Sequence, residues 1–426
     1  MSRAKTLSEN RAGRRPPAES IDALVAGIIE DVRRNGDAAL RKYTLRFDGL
    51  RLDDLRTRQE EWEAAVSTVG ASFTDDLKST IRLIRRFALR QLRAYRDFEF
   101  EVEPGVFAGQ RVSPVRRVGI YVPGGRFPLF SSLLMAAVPA TAAGVEELIV
   151  CTPPARDGRV SPAVLAAARL CGVTQVFEVG GAQAIAAMAF GTATIPRADK
   201  IVGPGNVYVN AAKRQVYGEA GVDFIAGPTE IMVIADDGAN ADFIAADLIA
   251  QAEHDPRAAA RLVTDSPALA ARVVREIKKR LRDPKTAESA GRLLANPGLV
   301  VRVKDLAEAV EIANDAAPEH LEVCVRAPEK IAAKLKAFGS LAIGELASPV
   351  LEDYASGLNH ILPTNAAARY TGGLSVRDIL KIQTTLRDSE DGLRRIGPLA
   401  RRLAEAEGLR GHAAAVARRL KARGIE

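Results

Sequence analysis

Apolar positions change their period along this chain. Between Ile21 and Asp97 they recur at helical spacing, with Ile21, Leu24, Ile28, Ile29 and Val32 on one stripe and Gly36 as a natural stop. Two or three helices fill this stretch. From Val118 onward the pattern becomes short β-branched runs: Val118–Val122, Leu148–Thr152, Gln175–Val179, Lys200–Val202, Ile231–Ala235, Arg261–Thr264, Leu299–Val303, Leu321–Val325 and Ser340–Ile343. Ala-rich stretches long enough for helices separate most of them. Strand–helix alternation of this kind argues for βαβ units and parallel sheets. Two smaller doubly wound sheets suit the length better than one, with a seam near Gly221–Gly227. From about Arg369 the pattern turns helical again, punctuated by Gly372, Gly373, Gly392 and Gly408.

Composition narrows the class. Of 426 residues, 47% are hydrophobic, enough for a sizeable core. The longest apolar stretch, Ser131 to Gly144, contains Pro139 and is too short to span a bilayer, so no membrane role is expected. The polar leader over residues 1–17 has no apolar segment of a secretory signal and reads as disordered. Cys151, Cys171 and Cys324 lie far apart in apolar surroundings, which argues for buried free thiols, against a disulfide framework, and for a reducing cytoplasm. Net charge is +7, with Arg11, Arg14 and Arg15 in the leader and a further Arg-rich stretch from Arg394 to Arg423. Aromatic residues make up only 5%, and no basic segment interleaves them for stacking bases. Nucleic-acid binding is therefore a weak reading; solvated helix faces and attraction for an anionic cofactor account for the charge.

The histidines carry more information, because there are only four. His254 follows Gln251 by three residues at the end of an amphipathic helix, which sets both side chains on one face, as helices present metal ligands. His320 follows Glu319 between a helix stopped by Pro318 and a strand start, and this pair can supply general acid and base. His360 lies in Asp353–Thr364, a turn-rich stretch that also holds Asp353, Tyr354, Ser356 and Asn359. His412 lies in the tail just after Glu407 and Gly408. Each taken alone could be structural. Together, a Gln, carboxylates and imidazoles without sulfur suit Zn²⁺, Mn²⁺ or Co²⁺ in an open site better than a closed structural zinc.

Three glycine-rich turns follow strand-like runs: Pro123-Gly124-Gly125, Gly180-Gly181-Ala182-Gln183 and Gly203-Pro204-Gly205-Asn206. Each precedes a helical stretch, an arrangement that favours phosphate at a helix N-terminus. None meets the GxGxxG fingerprint, so motif rules alone make NAD a weak inference.

The segments YVPGGRFPLFSSLLMAAVPATAAGV, VGGAQAIAAMAFGT, VGPGNVYV, AGPTEIMVIAD, DLIAQAEHD, APEHLEV, DYASGLNHILPT and EAEGLRGH run in one order across nearly the whole chain from about Glu19. In this they resemble the histidinol dehydrogenase family. The resemblance implies a metal, usually Zn²⁺, held by Gln251, His254, Asp353 and His412. It implies Glu319 and His320 as the acid–base pair, and NAD contacts from Tyr121, Gln183 and Asn206. Substrate contacts would come from Thr229, His320, His360, Glu407 and the metal ligands Gln251, His254, Asp353 and His412. Thr229 stands where the family commonly has Ser, so the hydroxyl is kept. The implied reaction is oxidation of L-histidinol through L-histidinal to L-histidine with two NAD⁺, in histidine biosynthesis. A paralogous metal- and NAD-dependent dehydrogenase of another small polar alcohol is the alternative.

The expected architecture is α/β: two Rossmann-like doubly wound parallel-sheet domains, with a helical N-terminal region and an extended helical C-terminal tail. One domain would join residues 18–112 to 225–366, the other would span 113–224, and the family resemblance implies that the tail 367–426 is exchanged in a homodimer with shared active sites.

Overall fold

The computed structural model describes residues 18–124, 128–155 and 157–425. The leader and Gly125 lie outside them. Two compact units are present, one built on residues up to Leu89 together with Arg116–Ile379, the other on Arg90–Val115 together with the chain from Leu380.

The first unit holds two parallel five-stranded sheets. In chain order the strands of the first are β3 (Arg117–Tyr121), β4 (Glu147–Cys151), β5 (Gln175–Phe177), β6 (Lys200–Val202) and β7 (Gly221–Val222). Their spatial order is β5-β4-β3-β6-β7. The second contains β8 (Glu230–Ala235), β9 (Ala259–Thr264), β10 (Val300–Arg302), β11 (His320–Cys324) and β12 (Ser340–Ile343), in the order β10-β9-β8-β11-β12. Both sheets thus start at a central strand, wind outward one way, then return to its other side. All nine expected strands form, within a residue or two of their expected bounds. β7 has no counterpart among the expected strands, because two residues carry no periodic signal.

Burial in the second sheet explains its sequence. Ile231, Val233 and Ala235 of β8 pack under the helices Ala241–His254, Pro267–Lys279 and Ala287–Ala295, while Met232 and Ile234 face the helix Leu306–Ala316. Strands covered on both faces read as continuous apolar runs, and here they do. In β11, Leu321 and Val323 face Leu306–Ala316, whereas Cys324 lies on the Ala241–His254 side. With a period of two, His320 and Glu322 share that second side. A strand residue is therefore aimed at the helix that carries Gln251 and His254.

The second unit corrects one expectation. The tail is not wholly helical: Leu380–Asp388 forms a nine-residue strand, β13, paired antiparallel with β2 (Val106–Pro114), which in turn pairs with β1 (Phe98–Glu103). Leu380, Ile382, Thr384 and Leu386 alternate along it, a period-two pattern hidden between two helical stretches. Helices Glu390–Ala406 and Arg410–Ala422 follow. Among the described residues no helix is long and apolar enough to cross a membrane.

Candidate active site

In an open parallel sheet, ligands gather at the carboxyl ends of the strands where the winding reverses. In the first sheet that point lies between β3 and β6. Tyr121 ends β3, and its buried hydroxyl oxygen accepts the Gly181 N–H at 3.0 Å. Burial pushes the phenol up to about 12, so it stays neutral and keeps its own proton to donate. Gln183 sits one turn into the helix Gly181–Phe190, is 1% exposed, and its Oε1 has no hydrogen-bond partner. Asn206 caps the helix Val207–Val216, its Oδ1 accepting from Tyr208 and Val209 backbone N–H groups at 3.0 and 3.1 Å. That leaves its exposed amide NH₂ as the group free to meet a ligand.

The glycines around these residues answer first to packing. A Cβ on Gly124 would lie 2.4 Å from Pro153 Cγ, and one on Gly180 2.5 Å from Pro153 Cβ. The two turns close on the same proline, so neither tolerates a side chain.

In the second sheet the chemistry lies at the opposite end. Thr229 and Glu319 immediately precede β8 and β11, which run parallel with His320 beside Ile231. Ala317 ends the preceding helix in the left-handed conformation (φ 44°), and Pro318 turns the chain into β11. Glu319 Oε2 accepts from Thr229 Oγ1 at 2.5 Å and from the Glu230 N–H at 2.7 Å. Gln251 Nε2 donates to the same Thr229 hydroxyl at 2.5 Å. A continuous chain of bonds therefore runs Gln251→Thr229→Glu319. Burial raises the Glu319 carboxyl to about 7, against opposition from His320 and these bonds.

His320 is 5% exposed. Its Nδ1 lies 3.7 Å from Glu352 Oε2 in the helix Pro349–Tyr354 and makes no hydrogen bond. Burial alone would lower this imidazole, but Glu352, Glu319 and Asp353 outweigh it and push it up to about 9. His360 Nδ1 is 3.0 Å from the Asp353 carbonyl, which requires Nδ1 to carry the proton and leaves Nε2 as an acceptor. Burial, with repulsion from His320 and His254, holds His360 below the usual imidazole range. Its loop is anchored by Asn359, whose Nδ2 donates to the Met135 carbonyl at 2.7 Å.

Gln251, His320, Glu319, Thr229, Asp353 and His360 thus belong to one polar neighbourhood, with His254 exposed at the end of its helix. Glu407 and His412 are exposed in the second unit, at the end of Glu390–Ala406 and the third position of Arg410–Ala422. Among the described residues no three His, Cys, Asp or Glu side chains of the chain gather as a metal cage. Two neighbours escaped the sequence reading. Glu352 carries no local signal beyond being an acid beside Asp353; only folding brings it to His320. Glu230 reads as a strand start, yet its Oε1 takes the Asn365 N–H at 2.9 Å beside the site.

The histidinol dehydrogenase family model matches residues 13–420. The chain belongs to the histidinol dehydrogenase family. The family's member from Methanothermobacter thermautotrophicus is 43% identical over 417 residues, covering 98% of this chain and 97% of its own. That of Bordetella parapertussis is 45% identical over 405 residues, covering 94% and 91%. The crystal structure of histidinol dehydrogenase from Elizabethkingia anophelis superposes with a TM-score of 0.89 at 35% identity, covering 96% of this chain and 94% of that one.

Proposed function

We propose that this chain oxidises L-histidinol through L-histidinal to L-histidine, with two NAD⁺ and one Zn²⁺ per site. Family membership supports the substrate. The observation that carries the chemistry is the chain Gln251→Thr229→Glu319 ending beside His320. Because Gln251 spends its NH₂ group on Thr229, its carbonyl oxygen is the atom left for a cation. Asp353 and the exposed imidazole of His254 add oxygen and nitrogen donors, and His412 from the tail of a second copy of the chain would complete a sulfur-free set that fits Zn²⁺. For the cofactor, Tyr121, the unpartnered Gln183 Oε1 and Asn206 are polar groups at the reversal of a Rossmann-like strand order, which fits a dinucleotide.

When bound, the metal would orient the amino alcohol and NAD⁺ would take up its hydride. His320 receives the hydroxyl proton, and Glu352, Glu319 and Asp353 stabilise the imidazolium so formed. Glu319 keeps Oε2 on Thr229 and Glu230, so its Oε1 is available to deprotonate the water that converts the aldehyde into its hydrate. His320 then serves again as base in the second oxidation. His360, neutral and fixed by Asp353, offers Nε2 to the substrate, and Thr229, whose proton is held by Glu319, offers the remaining lone pair of its hydroxyl oxygen. Glu407 suits a cationic amino or imidazole group. The active form is a cytoplasmic homodimer in which Glu407 and His412 complete the partner's site through an exchanged tail, 367–426.

NAD⁺ reduction followed with L-histidinol, with and without a chelator, tests the reading. Histidinol-dependent NADH that the chelator abolishes and Zn²⁺ restores is expected. NADH formation from other amino alcohols but not from histidinol would overturn it.

A further inference from the structure

Behind the turn that carries Asn206 lies a buried ion pair that the reaction does not use. Lys213, on the inner face of Val207–Val216, has its side chain 1% exposed, and the Asp223 side chain is 0% exposed. Lys213 Nζ donates to Asp223 Oδ1 at 2.6 Å and to the Gly203 carbonyl at 2.5 Å. Asp223 Oδ2 accepts the Gly203 N–H at 2.8 Å. One ammonium and one carboxylate therefore hold both backbone polar groups of a single residue. At Gly203 the backbone takes φ +114°, and a Cβ there would lie 2.2 Å from the Tyr121 carbonyl oxygen. The clamped residue thus rests directly on the end of β3. Two residues on, Asn210 Nδ2 holds the Gly205 carbonyl at 2.9 Å.

Burying two charges is expensive, and an apolar pair of similar volume often folds as well or better. An ion pair kept in this position is better explained by geometry than by stability. The strand end bearing Tyr121 and the turn bearing Asn206 are held at a fixed spacing by Gly203, and Gly203 is held by the pair.

We propose that Lys213 and Asp223 are positioning residues for the dinucleotide: they set the Gly203–Asn206 turn against Tyr121 so that both side chains meet one cofactor. The inference rests on the reading that Tyr121 and Asn206 contact NAD⁺. Its test is calorimetric titration of NAD⁺ into the full, metal-loaded chain. Asp223→Asn keeps size and an acceptor but removes the charge. The double variant Lys213→Met with Asp223→Leu removes both charges, leaving none buried alone. Each is expected to bind NAD⁺ about tenfold more weakly, the loss of about one well-placed hydrogen bond to the cofactor, while the KM for histidinol and kcat at saturating NAD⁺ change little. Asp199→Asn is the control. Asp199 ties the opposite, amino end of β6 to the Arg117 N–H at 2.9 Å, and its loss should leave NAD⁺ affinity unchanged. Wild-type affinity in both Asp223 variants would overturn the positioning role, as would equal weakening by Asp199→Asn, which would mark a general loosening. A wild-type chain that takes up no NAD⁺ would instead overturn the cofactor reading beneath it.

Discussion

Glu319 and His320 are neighbours in the chain but have different partners. Glu319 ends the turn before β11 and reaches across to Thr229 and Glu230, while His320 opens the strand and faces Glu352. This separation supports a division of labour. Glu319→Gln should slow oxidation of L-histidinal about a hundredfold while single-turnover alcohol oxidation stays measurable, a loss typical of removing one general base. Equal losses in both half-reactions would show that the pair acts as one. The surrounding carboxylates also set a pH dependence. An imidazole ordinarily titrates near about 6.5; His320, held up to about 9, is a free base only on the alkaline side. The rate at limiting substrate should therefore rise with pH toward 9. Glu352→Gln withdraws one stabilising charge, so the rising limb should move to lower pH. A limb that stays in place would show that Glu352 does not sustain the imidazolium. Most of these residues were legible as sequence because polar groups stand out in apolar or turn-rich surroundings: Gln251 and His254 at helical spacing, Glu319 and His320 at a Pro-marked junction. Glu352 was not, since its role depends wholly on where helix Pro349–Tyr354 packs.

At the scale of elements, the sequence exposed the strands of the two parallel sheets, apart from the two-residue β7, and hid the antiparallel strands of the second unit. The nine expected strands are apolar runs. β1 is FEFEVE with every residue exposed, and β13 is mostly exposed, so neither has a buried face to mark it. The ends of the sheets were less legible still. Thr229, Glu319 and His320 lie at amino ends of the second sheet; Pro318 marks that junction for Glu319 and His320, whereas nothing local marks it for Thr229. β11 has a further consequence for stability. Glu322 is 0% exposed on the face it shares with His320, its Oε2 has no partner, and burial together with nearby Asp247 pushes it up to about 8. In the unfolded chain a glutamate titrates near about 4.3. The folded state thus binds this proton more tightly, and the stability it contributes at low pH is lost as pH rises from the unfolded value through about 8. Glu322→Gln should raise the thermal midpoint relative to wild type at pH 8, with the gap closing toward pH 5. A constant gap across that range would contradict a buried neutral carboxyl.

At the scale of the whole molecule, the proposed site draws Glu407 and His412 from the tail of a second copy of the chain. The second unit exposes Phe98, Phe100 and Val102 on β1, Ile382 and Leu386 on β13, and Leu399 and Leu403 on the helix after it. If Glu407 and His412 serve the partner's site, mixing inactive His320→Ala and His412→Ala chains should restore part of the activity after subunit exchange, because one of the two sites in each mixed dimer regains a full set. Verified heterodimers without activity would argue for unshared sites. The family and its reaction were legible from motif order alone, since eight segments in sequence are far more specific than any one of them. In the proposed reaction a single site carries an alcohol through its aldehyde to the acid. Counting NADH and L-histidine formed from a limiting amount of L-histidinol tests it most directly. Two NADH and one L-histidine per histidinol, with no histidinal released to a trapping amine, are expected; one NADH per histidinol with free aldehyde accumulating would contradict it.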